Sequence, residues 1–146
     1  MNRKIKFRAW DSENKAFYKP THEAYNGNLF ELMVGFSGDL LAHTIKGVAH
    51  ESTFKDRFIL MQYTGLKDKN GVEIYESDIV KVTKSESYKV KPIEDIFEVK
   101  IEEGICNAST DWIEASYEWG GAEDYSCEVL SIEVLGNIYE NTELLK

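Results

Sequence analysis

The chain has 146 residues, of which 42% are hydrophobic and 29% charged, and it carries a net charge of −9. This is an ordinary globular composition, enough for one domain or for a compact domain with a second lobe. No apolar run approaches the ~20 residues that a membrane-spanning helix requires, and the basic start MNRKIKFRAWD is followed by no apolar core of signal-peptide length. The expectation is therefore a cytoplasmic protein with no membrane partner, whose Cys106 and Cys127 stay reduced.

Charge is unevenly placed. Residues 1–70 carry 11 Lys/Arg against 8 Asp/Glu, and residues 71–146 carry 6 against 18. The acidic half should repel nucleic acid, whose nonspecific binding rests on cationic contacts to phosphate. It serves either as a solubility device or as a surface for a basic partner protein.

In chain order, Lys4 to Trp10 alternates Ile5, Phe7 and Ala9 with Lys4, Lys6 and Arg8, the period of a half-buried strand. Asp11 to Lys15 is turn chemistry, and Ala16-Phe17-Tyr18 returns to make a first hairpin that stops at Pro20. Between Thr21 and Lys55 the glycines Gly27, Gly35, Gly38 and Gly47 interrupt every candidate helix. Irregular structure with short strands is expected there, Leu29 to Phe36 being apolar enough for a strand or a buried turn. Phe58 to Tyr63 is a further strand, and Asp68-Lys69-Asn70-Gly71 suits a hairpin loop. Val72 to Tyr75 and Ile79 to Val82 are short strands around the turn Glu76-Ser77-Asp78.

Lys84 to Asp95 is polar, contains Pro92 and reads as a surface loop. Phe97, Val99 and Ile101 alternate with Glu98, Lys100 and Glu102, and Trp112 to Trp119 sets Ile113, Ala115, Tyr117 and Trp119 opposite Glu114, Ser116 and Glu118. Cys127 to Leu135 resumes the strand pattern, and Asn141 caps a final turn. Many short strands with turn signals roughly every ten residues predict a mainly β fold, a small barrel or sandwich.

No catalytic, cofactor or metal signature accompanies this pattern. His22, His43 and His50 are scattered without a His or Cys partner at ligand spacing. There is no phosphate-binding glycine motif, and no serine sits beside a recognisable base. The 18 aromatic residues, three Trp, eight Tyr and seven Phe, concentrate Trp112 and Trp119 in an acidic segment, which favours core packing or a protein interface over base stacking. Trp10 is the one aromatic in a cationic setting, and its simplest role is to close the first hairpin.

Three segments together resemble the YopX family, whose members are carried by phages and prophages. They are Ile5-Lys6-Phe7-Arg8-Ala9-Trp10-Asp11; then Met61-Gln62-Tyr63-Thr64-Gly65 with Asp68, Gly71, Ile74-Tyr75-Glu76 and Asp78-Ile79-Val80; and Gly136-Asn137-Ile138-Tyr139-Glu140-Asn141 with Glu143-Leu144-Leu145. Ser77 departs from the family's usual glycine and Thr142 from its usual proline, while Ser85 to Ser126 matches poorly. The resemblance implies an SH3-like barrel over residues 60–146, a hairpin region over residues 1–59 packed beside it, and homo-oligomers. It implies no activity.

These readings lead to a nonenzymatic protein–protein interaction or self-assembling module without cofactors. Its interaction candidates are Lys4, Lys6, Arg8, Trp10, Asp78, Trp112 and Trp119. The alternative is a nucleic-acid-associated factor using the basic first strand. A third reading is a metal-dependent hydrolase gathering Asp78, Asp111 and Asp124 on barrel loops.

Overall fold

The computed structural model describes residues 4–19, 30–86, 91–102, 105–108 and 127–145. Among them lie eleven strands, two short 3-10 turns and no α-helix. The strands are β1 (Phe7–Asp11), β2 (Ala16–Phe17), β3 (Phe30–Val34), β4 (Leu40–Thr44), β5 (Gly47–His50), β6 (Phe58–Lys67), β7 (Glu73–Tyr75), β8 (Asp78–Glu86), β9 (Ile93–Glu102), β10 (Ile105–Ala108) and β11 (Cys127–Asn137). The fold is mainly β, as the alternation predicts. Its antiparallel sheets are curled and a half-barrel is present, a coarser architecture than the SH3-like barrel expected. Two compact units can be described, one comprising Met1–Arg8 with Met61–Lys146 and the other Ala9–Leu60.

The larger unit holds an antiparallel sheet in the order β10-β9-β8-β11. Register brings Val80 opposite both Phe97 and Val134, and Val82 opposite Ile132. With Ile74 and Val99 these residues make the core, each buried aliphatic side chain contributing about 1.5–3 kcal/mol. Two register shifts, between Val129 and Ser131 and between Val134 and Gly136, bulge β11, and such bulges increase a strand's local twist. The residues read as a loop from Lys84 to Asp95 are partly strand: β8 runs on to Glu86 and β9 starts at Ile93. The reason is an ion pair. Lys84 is buried and its Nζ lies 2.6 Å from Asp95 Oδ2, so the polar sequence hides a paired strand. Cys106 on β10 and Cys127 on β11 occupy opposite outer strands of this sheet.

Turns in this unit are built by buried polar side chains. Asp68 Oδ1 accepts N–H bonds from Asn70 (2.8 Å) and Val72 (2.9 Å), and its Oδ2 accepts one from Val134 (3.1 Å). Asn137 Oδ1 accepts from Tyr139 and Glu140 at 2.9 and 3.1 Å. A side chain at Gly136 would strike the Asn141 amide, whose Oδ1 stands 2.2 Å from where a Cβ would be, so any larger residue there would have to displace the Asn141 side chain. The final 3-10 turn runs over Thr142–Leu145.

In the smaller unit, Trp10 and Asp11 at the end of β1 pair with Phe17 and Ala16 of β2. Asp11 shapes the turn by accepting from Glu13 and Asn14, and Arg57 chelates it at 3.3 and 3.0 Å. Of the region Thr21–Lys55, expected to be irregular with short strands, residues 21–29 lie outside the described residues and the remainder holds a meander of short strands, β3-β4-β5. Gly38 and Gly47 sit at its two turns with φ of +90° and +119°, so they punctuate strands rather than break helices.

Candidate functional site

The meander has two unlike faces. Cross-strand pairing places Phe30, Leu32, Val34, Leu40, Ala42 and Ala49 on one face, where Leu40 and Ala42 are buried. On the other face Met33 pairs with Leu41, Leu41 with His50, and His43 with Val48. Met33 is 37% and Val48 62% exposed, and fully exposed Phe36 and 68%-exposed Ile45 stand in the turns at either end. Glu31 lies on the same face opposite His43, so the exposed apolar side chains stand among polar ones, and exposed apolar groups with a polar rim are a feature of surfaces that partners cover.

Beside this face the chain after β5 turns sharply. His50 caps the 3-10 turn Glu51–Thr53, its Nδ1 lying 3.2 Å from both the Ser52 N–H and Ser52 Oγ. Its Nε2 lies 3.9 Å from Asp39 Oδ1, and Glu51 Oε2 accepts the Leu40 N–H at 2.9 Å. One ligand-type atom from each of Asp39, His50 and Glu51 lies within 4.8 Å of the others. His50 and Glu51 also line a groove of about 700 Å³ floored by Leu40, Phe58, Ile59 and Leu60. Sequence spacing offered no sign of this trio, because Asp39 stands 11 residues before His50 and only the β4–β5 register brings them together.

In the larger unit the basic first strand is turned the opposite way from its apolar alternation. Ile5 is 73% and Phe7 40% exposed, whereas Lys6 and Arg8 are half-buried. The cations find anions and rings. Lys6 Nζ pairs with Glu73, and Arg8 pairs with Asp78 while its Nε donates to Met61 Sδ at 3.4 Å. Lys6 lies 5.7 Å from the Tyr63 ring centre and the Arg8 guanidinium 4.7 Å from that of Tyr75. The Lys6 hydrogen bond holds the Glu73 carboxyl below its ordinary range. Burial and the bond to Glu73 push the Tyr75 hydroxyl up to about 12.

Asp78 is 1% exposed. Burial raises its carboxyl above the usual range, against the pull of the Tyr75 N–H (2.8 Å) and Arg8. Its neighbours account for its role as a fixed joint at the start of β8.

The other interaction candidates are dispersed. Lys4 is exposed at the start of the described chain. Trp10 is buried and packs edge-on against Phe17 at 5.3 Å, in the smaller unit, so it closes the hairpin instead of standing beside a cationic surface. Trp112 and Trp119, with Asp111 and Asp124, lie outside the described residues. Among the described residues no helix is long and apolar enough to cross a membrane.

Comparison with known proteins accords with this geometry. Over 81 residues the chain is 33% identical to the SPbeta prophage-derived uncharacterized protein YopX of Bacillus subtilis, a match covering 52% of this chain and 52% of that protein. The chain thus spans about half the length of that relative. The crystal structure of protein EF1440 from Enterococcus faecalis is similar to it with a TM-score of 0.53 and 27% identity, covering 98% of this chain and 99% of the other. The family model described as YopX protein matches residues 6–146. That match spans nearly the whole chain, and the chain belongs to the YopX family.

Proposed function

We propose that this protein is a nonenzymatic, prophage-associated module that works by protein contact, first of all with further copies of itself. The observation that carries this reading is the set of exposed apolar side chains on and around one mixed sheet face, Met33 and Val48 beside Leu41, flanked by exposed Phe36 and Ile45. Charge supports a second copy as the occupant. Residues 9–60 hold 5 Lys/Arg against 7 Asp/Glu, net −2, while the rest of the chain holds 12 against 19, net −7. Two copies of a strongly acidic chain meet with least repulsion through the nearly neutral part. A two-fold contact also sets like against like, which suits an apolar patch of this kind.

The polar side chains of the larger unit support a scaffold role over a catalytic one. Asp68, Asp78 and Asn137 bond backbone N–H groups or an ion-pair partner at the turns they fix. The basic strand spends Lys6 and Arg8 on Glu73 and Asp78, which weakens its claim on phosphate.

Co-expression of two differently tagged copies tests the reading. Each tag is expected to retrieve the other copy after nuclease treatment, and replacing Val48 with glutamate is expected to abolish that recovery. Retrieval of a single tagged species from the native chain would contradict it.

A further inference from the structure

We propose that Asp39, His50 and Glu51 form a site for one divalent transition-metal ion, with Zn²⁺ the ion best suited to the donor set. One imidazole nitrogen and two carboxylates are the mixed N/O set that Zn²⁺ accepts, and three protein ligands leave a position open. The three ligand atoms lie within 4.8 Å of one another. Ligands about 2.1 Å from a tetrahedral ion stand roughly 3.4 Å apart. The trio must therefore close by about an ångström, which half-exposed Asp39 and His50 side chains can do by small rotations.

The scaffold already restrains two of the ligands from behind. Glu51 Oε2 accepts the Leu40 N–H at 2.9 Å, which fixes the position of the carboxylate. His50 Nδ1 has Ser52 Oγ at 3.2 Å as an acceptor. With its proton on Nδ1 and donated to Ser52 Oγ, the imidazole presents the Nε2 lone pair on the Asp39 side. This tautomer gives up the bond from the Ser52 N–H and replaces it with one to the hydroxyl. Such outer partners orient metal ligands and commonly change affinity 10–100-fold when removed. The antiparallel register Leu41 to His50 sets the spacing through backbone, so the site does not depend on long flexible side chains for its approach. His50 and Glu51 also border the 700 Å³ groove, which gives the open position access to an oxygen ligand. His50 shares its sheet face with Met33 and Val48, but all three ligands come from one chain, so binding is expected in the monomer as well as in an oligomer.

The test is calorimetric titration of the full chain with ZnCl₂, in a Cys106→Ser/Cys127→Ser background so that thiols contribute nothing. One ion per chain is expected, with a rise in melting temperature. Asp39→Asn, which keeps the side chain's shape, is expected to weaken binding at least ~10-fold, and Ser52→Ala to weaken it about 10-fold. His50→Gln should remove binding; should it also alter the cap, Asp39→Asn decides. Cobalt substitution should give a visible spectrum of nitrogen and oxygen ligation that His50→Gln erases. No saturable binding, or equal affinity in Asp39→Asn, would overturn the proposal.

Discussion

Arg8 and Asp78, 70 residues apart in sequence, form an ion pair in which the carboxylate is almost wholly buried and the guanidinium lies over the Tyr75 ring. Removing one member of a buried pair leaves the other charge desolvated, which costs about 3 kcal/mol. Arg8→Leu should therefore unfold at lower urea concentration with an unchanged denaturant slope. Burial holds the Asp78 carboxyl above its unfolded value. A raised carboxyl costs stability as pH climbs through its folded value and costs nothing below its unfolded value. The deficit of Arg8→Leu should therefore shrink when the pH is lowered from 7 toward 4. A constant deficit across that range would show that Asp78 does not carry the loss.

Ser77 sits at φ +65° between β7 and β8. Its N–H donates to the Val99 carbonyl (2.8 Å) and its own carbonyl accepts from Ile138 (3.0 Å), so the strained residue is tied on both sides. The left-handed region costs a non-glycine residue roughly 1–2 kcal/mol, while glycine loses about 0.5–1 kcal/mol in chain entropy. Ser77→Gly, the substitution that restores the residue usual in the family, should stabilise the chain by about 0.5–1 kcal/mol, read as a higher urea midpoint. Serine is tolerated here, but it is not neutral.

Asp68 is the counterpart in acid. Burial pushes its carboxyl up, but the N–H groups of Val72, Val134 and Asn70 outweigh it and hold the group below its usual value. A depressed carboxyl contributes stability above its unfolded value, near 3.9, and loses it as pH falls through the folded value. Asp68→Asn should lose about 1–3 kcal/mol at neutral pH. Its stability should also fall less steeply than the native chain's below pH 4. An identical acid limb in both proteins would remove Asp68 from that role.

How much of this could be read from sequence depends on where each partner lies. Asp68-Lys69-Asn70-Gly71 was legible because its bonds are largely local, a few residues along the chain. The alternation of β9 was legible because one face packs on the core, Val99 being 2% exposed. Alternation divides a strand into two faces but does not say which turns inward. From Ile5 to Arg8 the half-buried side belongs to Lys6 and Arg8, because their anions at Glu73 and Asp78 come from 67 and 70 residues away, while Ala9 just beyond is buried as its alternation suggests. Buried Lys84 disguised strand as loop for the same reason. The Asp39, His50 and Glu51 cluster depends on the register of one hairpin, and no linear spacing encodes that.

Sedimentation velocity of the native chain beside Met33→Glu/Val48→Glu, over a range of protein concentrations, tests the central claim most directly. Both side chains are exposed, so the double variant should fold with an unchanged far-ultraviolet spectrum. The account predicts a concentration-dependent oligomer for the native chain and a monomer for the variant. A native chain that stays monomeric at every concentration, or a variant that sediments as the same oligomer, would contradict it.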